Sequence, residues 1–224
     1  MRHRQKRTEL TRLIIFDLDG TLLDTIDDLA KSVNHAIRKK GYPEQELAEY
    51  PFFVGNGVCK LIERAMPESA RTEENVQRLR RDFVAHYTEH NTDLTVPYPG
   101  IGELVAELSR RGIGMAVASN KYLEATRKLV THYFGAGTFR VVLGQREGIA
   151  PKPDPTIVYD ILSETGVPAE ETLYVGDSGV DMRTATNAGL RSAGVTWGFR
   201  PRKELEDNGA RHIVDTPAEL LDLL

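Results

Sequence analysis

The chain has 224 residues, 40% hydrophobic and 28% charged, which indicates a globular protein of one domain or two small ones and excludes a disordered chain. Its net charge of −4 excludes a general nucleic-acid surface, and the absence of any apolar run near ~20 residues excludes a membrane span. The single cysteine, Cys59, excludes an internal disulfide, so we expect a reducing compartment, the cytoplasm.

The first seven residues, MRHRQKR, are strongly basic. We interpret them as a solvated chain terminus, and the alternative is an arm that binds phosphate or nucleic acid. The apolar stretch at residues 13–16 is too short for the core of a signal peptide.

Short apolar segments along the chain predict the strands of a buried sheet. They comprise residues 13–16, 113–118, 139–143, 173–175, 192–196 and 212–214. From residue 100 onward these segments alternate with amphipathic helices, and the helix after residue 118 is expected to begin at Lys121. The alternation predicts an α/β fold with a parallel sheet and helices on both faces.

Residues 24–91 break this alternation, since they contain no strand of comparable strength. Two helical faces account for their apolar residues: Ile26, Leu29, Val33 and Ile37 on one, and Val76, Leu79, Phe83 and Tyr87 on the other. We therefore predict an inserted helical unit at residues 24–91, with residues 1–23 and 92–224 forming the α/β core. The prolines in the returning segment, residues 91–100, predict a stiff linker.

Three of the predicted strands run directly into a small polar residue: Asp17, Ser119 and Asp177. Each residue alone would also suit a turn or a helix cap. In open parallel sheets, however, ligands bind beyond the carboxyl ends of the strands. We therefore expect these three side chains to converge on one crevice.

The segment Asp17-Leu18-Asp19-Gly20-Thr21 is the most specific signal. Asp17 and Asp19 point to the same side if the strand geometry persists, and their repulsion is relieved by a metal ion or by a proton. Asp177 and Asp181 add two carboxylates, the second one helical turn after the first. Clustered oxygen ligands favour a hard cation, and we predict magnesium.

Lys152 lies within Ala150-Pro151-Lys152-Pro153-Asp154-Pro155. The three prolines restrict the backbone of this lysine, which indicates that its position matters. Pro155 also suits the first turn of a following helix.

In this order the motifs resemble the haloacid dehalogenase superfamily of phosphohydrolases. The four matching motifs are residues 17–21, Ser119-Asn120, Lys152 and residues 176–181, and the match spans residues 13 to about 200. The resemblance implies a doubly wound, Rossmann-like core. The inserted unit resembles the small cap of the family and is called the cap below (residues 24–91).

The resemblance also implies a magnesium-dependent phosphatase that works through an aspartyl-phosphate. Asp17 matches the nucleophile and Asp19 the general acid and base. The residues that match phosphate-binding positions are Thr21, Ser119, Asn120 and Lys152. The magnesium ligands implied are the Asp17 carboxylate, the Asp19 backbone carbonyl and the Asp177 carboxylate, with Ser178 and Asp181 behind them.

The substrate prediction rests on Gly55-Asn56-Gly57 in the cap, a turn whose free backbone amides at a helix start suit an anion. This turn, residues 119–121 and residues 195–198 resemble segments of phosphoglycolate phosphatases, which implies 2-phosphoglycolate as the substrate. The alternatives are a phosphosugar mutase of the β-phosphoglucomutase type, an inorganic pyrophosphatase, and glycines that only shape the turn. The partner expected is a small phosphorylated metabolite, with the protein a monomer or homodimer.

Overall fold

The computed structural model describes residues 11–224, and the basic segment 1–7 lies outside the described residues. The strands, in chain order, are β1 (Leu13–Phe16), β2 (Leu23–Asp24), β3 (Val96–Pro97), β4 (Gly114–Tyr122), β5 (Val141–Gln145), β6 (Thr172–Gly176), β7 (Arg191–Val195) and β8 (His212–Val214). Six of them form one parallel sheet in the order β5-β4-β1-β6-β7-β8. Strands β4 and β6, which pair with β1, lie on opposite sides of it, so the strand order reverses direction there. In such sheets the ligand crevice lies at this point, at the carboxyl end of β1.

The α-helices, in chain order, are α1 (Ile26–Arg38), α2 (Tyr50–Phe53), α3 (Val58–Ala65), α4 (Glu73–His90), α5 (Ile101–Arg110), α6 (Leu123–Phe134), α7 (Thr156–Thr165), α8 (Gly179–Asn187) and α9 (Arg202–Asp207). Apolar residues of α5 and α6 pack on one face of the sheet, and those of α7 and α8 on the other. This arrangement confirms the predicted α/β class and its doubly wound core.

Strand β1 shows why an unbroken apolar run is needed at the centre of such a sheet. Ile14 and Phe16 belong to the cluster on one face, and Leu13 and Ile15 to the cluster on the other, because successive side chains point to opposite sides. All four are fully buried. Burial of each side chain stabilises the fold by roughly 1.5–3 kcal/mol.

All six predicted core strands are present, but the end of β4 was predicted wrongly. β4 continues to Tyr122, and α6 begins at Leu123 rather than at Lys121. The extra residues remain in the sheet because Tyr122 pairs with Gln145 of β5, after an irregularity that follows Ala118. Lys121 is therefore a strand residue.

The helices α1 to α4 pack around an apolar cluster of their own, which includes Val33, Ile62 and Phe83. Helix α4 begins where the Thr72 hydroxyl accepts a hydrogen bond from the Asn75 backbone N–H at 3.3 Å. The stiff linker predicted for residues 91–100 is in part a strand, because β3 pairs antiparallel with β2. This two-stranded sheet lies where the chain leaves the core and returns, and the division into two domains at residues 24 and 91 stays a prediction.

Within residues 11–224, no helix combines the length and apolar character needed to cross a bilayer.

Candidate active site

The polar residues that follow the central strands converge as expected. Asp17, Ser119 and Asp177 line one pocket at the carboxyl edge of the sheet, and Asp19 lines it as well. The opposite wall comes from the cap. The pocket therefore lies between the core and the cap, with its acidic groups on the core side.

Three carboxylates cluster at this edge of the sheet, and two of them, Asp17 and Asp177, line the pocket, whereas Asp181 is fully buried beside them. One oxygen each from Asp17, Asp177 and Asp181 lies within 4.8 Å of the others. Asp181 is held by a capping box at the start of α8, in which its Oδ2 accepts hydrogen bonds from the Ser178 backbone N–H (3.1 Å) and hydroxyl (2.6 Å). The helix start at Gly179 thus places Asp181 beside the strand-end carboxylates, as the sequence predicts.

Lys152 is buried behind these carboxylates and does not line the pocket. Its Nζ lies 2.7 Å from Asp181 Oδ1 and 3.0 Å from Asp17 Oδ1, and it donates to the Ala118 carbonyl at 2.8 Å and the Tyr174 hydroxyl at 3.1 Å. The structure therefore places Lys152 against the predicted nucleophile. Its predicted role in phosphate binding stays untested.

The electrostatics of this carboxylate cluster are unfavourable without a further cation. Burial, together with repulsion from Asp181, raises the pKa of Asp17 to about 7, although Lys152 opposes the shift. Burial and the same neighbouring carboxylate raise the pKa of Asp177 well above its usual range. Burial disfavours the Lys152 cation, but Asp17 and Asp181 outweigh this and raise the pKa of Lys152.

The donor set fits a hard divalent cation, because the three clustered side chains all offer carboxylate oxygens. The loops around Asp177 are also built for close approach. A side chain at Gly20, whose φ is +81°, or at Gly198 would collide with the Asp177 carboxylate. Asp177 is further fixed by the Phe199 backbone N–H at 2.8 Å and the Thr21 hydroxyl at 3.2 Å. Thr21 therefore contacts the acidic cluster directly.

The raised pKa of Asp17 predicts a pH-dependent cost in the metal-free protein. The unfolded carboxyl ionises near pH 4, while the folded one keeps its proton to about pH 7. The contribution of the Asp17 carboxyl to the free energy of unfolding is therefore complete below pH 4 and is lost as the pH rises toward 7. In chelator, we expect Asp17→Asn to match wild type in unfolding free energy at pH 4 and to exceed it at pH 8 by up to about 4 kcal/mol. Urea titrations at both pH values test this, and a variant less stable than wild type at pH 8 contradicts it.

Asp19 has two partners that the sequence did not predict. Its Oδ1 accepts a hydrogen bond from the Thr25 hydroxyl at 2.7 Å, just before α1, and its Oδ2 lies 3.0 Å from Lys121 Nζ. Lys121 is buried and lines the pocket. Because it lies two residues after Ser119 in β4, strand alternation would have placed both on one side, had the strand been extended that far.

The cap turn faces the core, as predicted. Gly55 and Gly57 line the pocket, and the Gly55 carbonyl accepts a hydrogen bond from Asn120 Nδ2 at 2.9 Å. Asn120 also bonds the backbone of Lys152 through both ends of its amide, at 2.8 and 3.1 Å. The Asn56 side chain turns away and accepts a hydrogen bond from Arg64 at 2.8 Å. The amide of Asn120 thus joins cap and core, and its predicted phosphate binding stays untested.

The loop after β7 borders the pocket. In the sequence, only the family resemblance of residues 195–198 pointed to this loop. Trp197 Nε1 donates to the Thr21 carbonyl at 3.0 Å, and Arg200 Nη2 donates to the Val54 carbonyl of the cap at 2.9 Å. Arg200 also lines the pocket. No periodic pattern marks such a loop, because its role depends on which elements the fold brings beside it.

Comparison with known proteins agrees with this geometry. A family model described as haloacid dehalogenase-like hydrolase matches residues 14–195. A phosphoglycolate phosphatase of Vibrio parahaemolyticus is 32% identical over 218 residues, which cover 95% of this chain and 96% of that protein.

Solved structures extend the likeness to the whole described fold. A Lactobacillus delbrueckii subsp. bulgaricus protein has a TM-score of 0.88 and 34% identity, covering 94% of this chain and 97% of its own. A predicted phosphoglycolate phosphatase from Haemophilus somnus has a TM-score of 0.88 and 29% identity, covering 95% of this chain and 97% of its own. The chain therefore belongs to the haloacid dehalogenase-like hydrolase family and is a phosphatase of that family.

Proposed function

We propose that the protein hydrolyses a small phosphomonoester, 2-phosphoglycolate, through an aspartyl-phosphate, an acyl phosphate on Asp17, with magnesium as cofactor. The observation that carries this proposal is the cluster of Asp17, Asp177 and Asp181, of which Asp17 and Asp177 line a pocket that Asp19 also lines. The names of the relatives support the choice of substrate.

In the first step, a carboxylate oxygen of Asp17 attacks phosphorus and the bond from phosphorus to the ester oxygen breaks. Asp19, as the general acid, gives a proton to the departing oxygen, which leaves as an alcohol. The contact between Asp17 and Lys152 supports this role, since the fixed ammonium group orients the attacking carboxylate.

In the second step, water attacks phosphorus of the aspartyl-phosphate. Its proton passes to the Asp19 carboxylate while the bond between phosphorus and the Asp17 oxygen breaks. Inorganic phosphate leaves, and both aspartates return to their starting states. Asp19 is suited to both proton transfers because Thr25 and Lys121 hold its two oxygens in place beside the pocket.

The residues that would hold magnesium are Asp17 and Asp177 through their carboxylates and Asp19 through its backbone carbonyl, with Ser178 and Asp181 behind them. Bound there, the ion would neutralise charge on the phosphoryl oxygens. The Ser119 hydroxyl would bind phosphate, and the presence of Ser119 in the lining of the same pocket supports this role.

The proposed substrate is tested by a phosphate-release assay with magnesium. We expect kcat/KM to be higher for 2-phosphoglycolate than for pyrophosphate or β-glucose 1-phosphate. A first rank for pyrophosphate would instead support a pyrophosphatase. Conversion of β-glucose 1-phosphate to glucose 6-phosphate without phosphate release would support a mutase. No release from any of the three compounds contradicts the proposed function.

Removal of the metal should abolish turnover. We expect excess chelator to eliminate phosphate release and magnesium to restore it, because Asp17 and Asp177 would otherwise repel a dianionic phosphate. Calcium should bind without supporting turnover, since its larger and looser shell misplaces the nucleophile. Full activity in excess chelator would refute the metal requirement.

A further inference from the structure

Lys121 is a buried cation to which the proposed chemistry gives no contact with the substrate, only the positioning of Asp19. Only 4% of its side chain is exposed, and its Nζ lies 3.0 Å from Asp19 Oδ2 and 4.8 Å from the centroid of the Tyr87 ring. Tyr87 belongs to α4 of the cap, so Lys121 is enclosed by elements of both core and cap. A buried ammonium group of this kind requires anionic partners.

The cations of the site differ in how far their charge is already balanced. Lys152 faces two carboxylates, Asp17 and Asp181, whereas Lys121 forms one ion pair, with Asp19. Arg200 Nη2 donates a hydrogen bond to the Val54 carbonyl, and Arg200 Nε lies 3.8 Å from Glu204 Oε2. An ammonium group has three hydrogens, and the ion pair with Asp19 uses one, so Lys121 retains donors for a further anion.

The position of Lys121 indicates which part of a substrate would meet it. Asp19 must reach the ester oxygen that leaves with the alcohol, and Lys121 contacts Asp19 directly. Lys121 therefore lies on the side of the leaving group rather than that of the phosphoryl group. A carboxylate one carbon from the ester oxygen would fall beside its Nζ.

We propose that Lys121 binds the second anionic group of the substrate, a carboxylate close to the ester oxygen, and so makes the site selective for phosphorylated carboxylic acids. This inference rests on the proposed function and adds the residue that determines specificity. The Tyr87 ring supports Lys121 from the cap side, and the Tyr87 hydroxyl has no hydrogen-bond partner among residues 11–224.

The test compares 2-phosphoglycolate with ethyl phosphate, in which a methyl group replaces the carboxylate, on wild type and Lys121→Met. We expect the ratio of the two kcat/KM values to fall about 10-fold or more in the variant, the loss of one hydrogen bond between charged groups. Lys128→Met is the matched control, because Lys128 also joins core to cap, through the Thr88 carbonyl, but lies outside the pocket. Its ratio should equal that of wild type.

An equal loss on both substrates would overturn the proposal, since Lys121 would then only position Asp19. Equal kcat/KM values of the wild-type enzyme for ethyl phosphate and 2-phosphoglycolate would also overturn it, while leaving the phosphatase function intact. Calorimetric binding to Asp17→Asn separates the two questions, because it requires no turnover. In that background, adding Lys121→Met should raise the Kd for 2-phosphoglycolate about 10-fold and leave the Kd for ethyl phosphate unchanged. The same Kd for 2-phosphoglycolate with and without Lys121→Met refutes the proposal.

Discussion

The Asp17→Asn variant should fold and yet retain less than roughly 1% of wild-type kcat, because an amide is a poor nucleophile and a weak ligand for magnesium. The side chain is nearly isosteric, and Asp17 is buried among groups that disfavour its charge. The substitution therefore removes the chemistry without removing the packing. Steady-state phosphate release measures the loss, and circular dichroism confirms the fold.

Asp207→Asn is a suitable control, since Asp207 is exposed on α9, forms an ion pair with Lys203 and lies outside the pocket. It should retain wild-type kcat. Brief incubation of wild type with labelled 2-phosphoglycolate, followed by acid quenching, should give an acyl phosphate that is absent from Asp17→Asn. Residual activity of Asp17→Asn well above roughly 1%, or labelling of that variant, would contradict attack by Asp17.

The Lys152→Met variant should lose both stability and activity. Without its ammonium group, Asp17 and Asp181 are left buried and unpaired, and removing one partner of a buried ion pair costs roughly 3–5 kcal/mol. The attacking carboxylate also loses the contact that orients it, so we expect kcat to fall at least about 100-fold. Urea unfolding and phosphate release measure the two effects.

A second substitution separates these effects of Lys152. Adding Asp181→Asn to Lys152→Met removes one unpaired charge while keeping an oxygen that can accept the hydrogen bonds from Ser178. We expect it to recover part of the stability and none of the activity. Unfolding free energies that are the same for wild type and Lys152→Met would refute the structural role of this lysine.

The sequence alone determined the core and the convergence of its polar residues. Apolar runs at residues 13–16 and 173–175 can be buried on both faces only as central strands, and parallel strands present their carboxyl ends at one edge. Asp17 and Asp177 therefore had to approach each other once the strands were identified. The placement of Asp181 followed from helix spacing, because α8 begins two residues after Asp177.

The tertiary structure alone decided which side chains meet across this edge. The partners Lys121 and Asp19 are 102 residues apart, and Arg200 and Val54 are 146 apart, so no local periodicity relates them. The missed extension of β4 shows the cause: pairing with β5, a contact between strands, keeps residues 121–122 extended where the local pattern suggested a helix. Hydrophobic periodicity specifies elements and faces, whereas the partner of a buried charge depends on how those elements are packed.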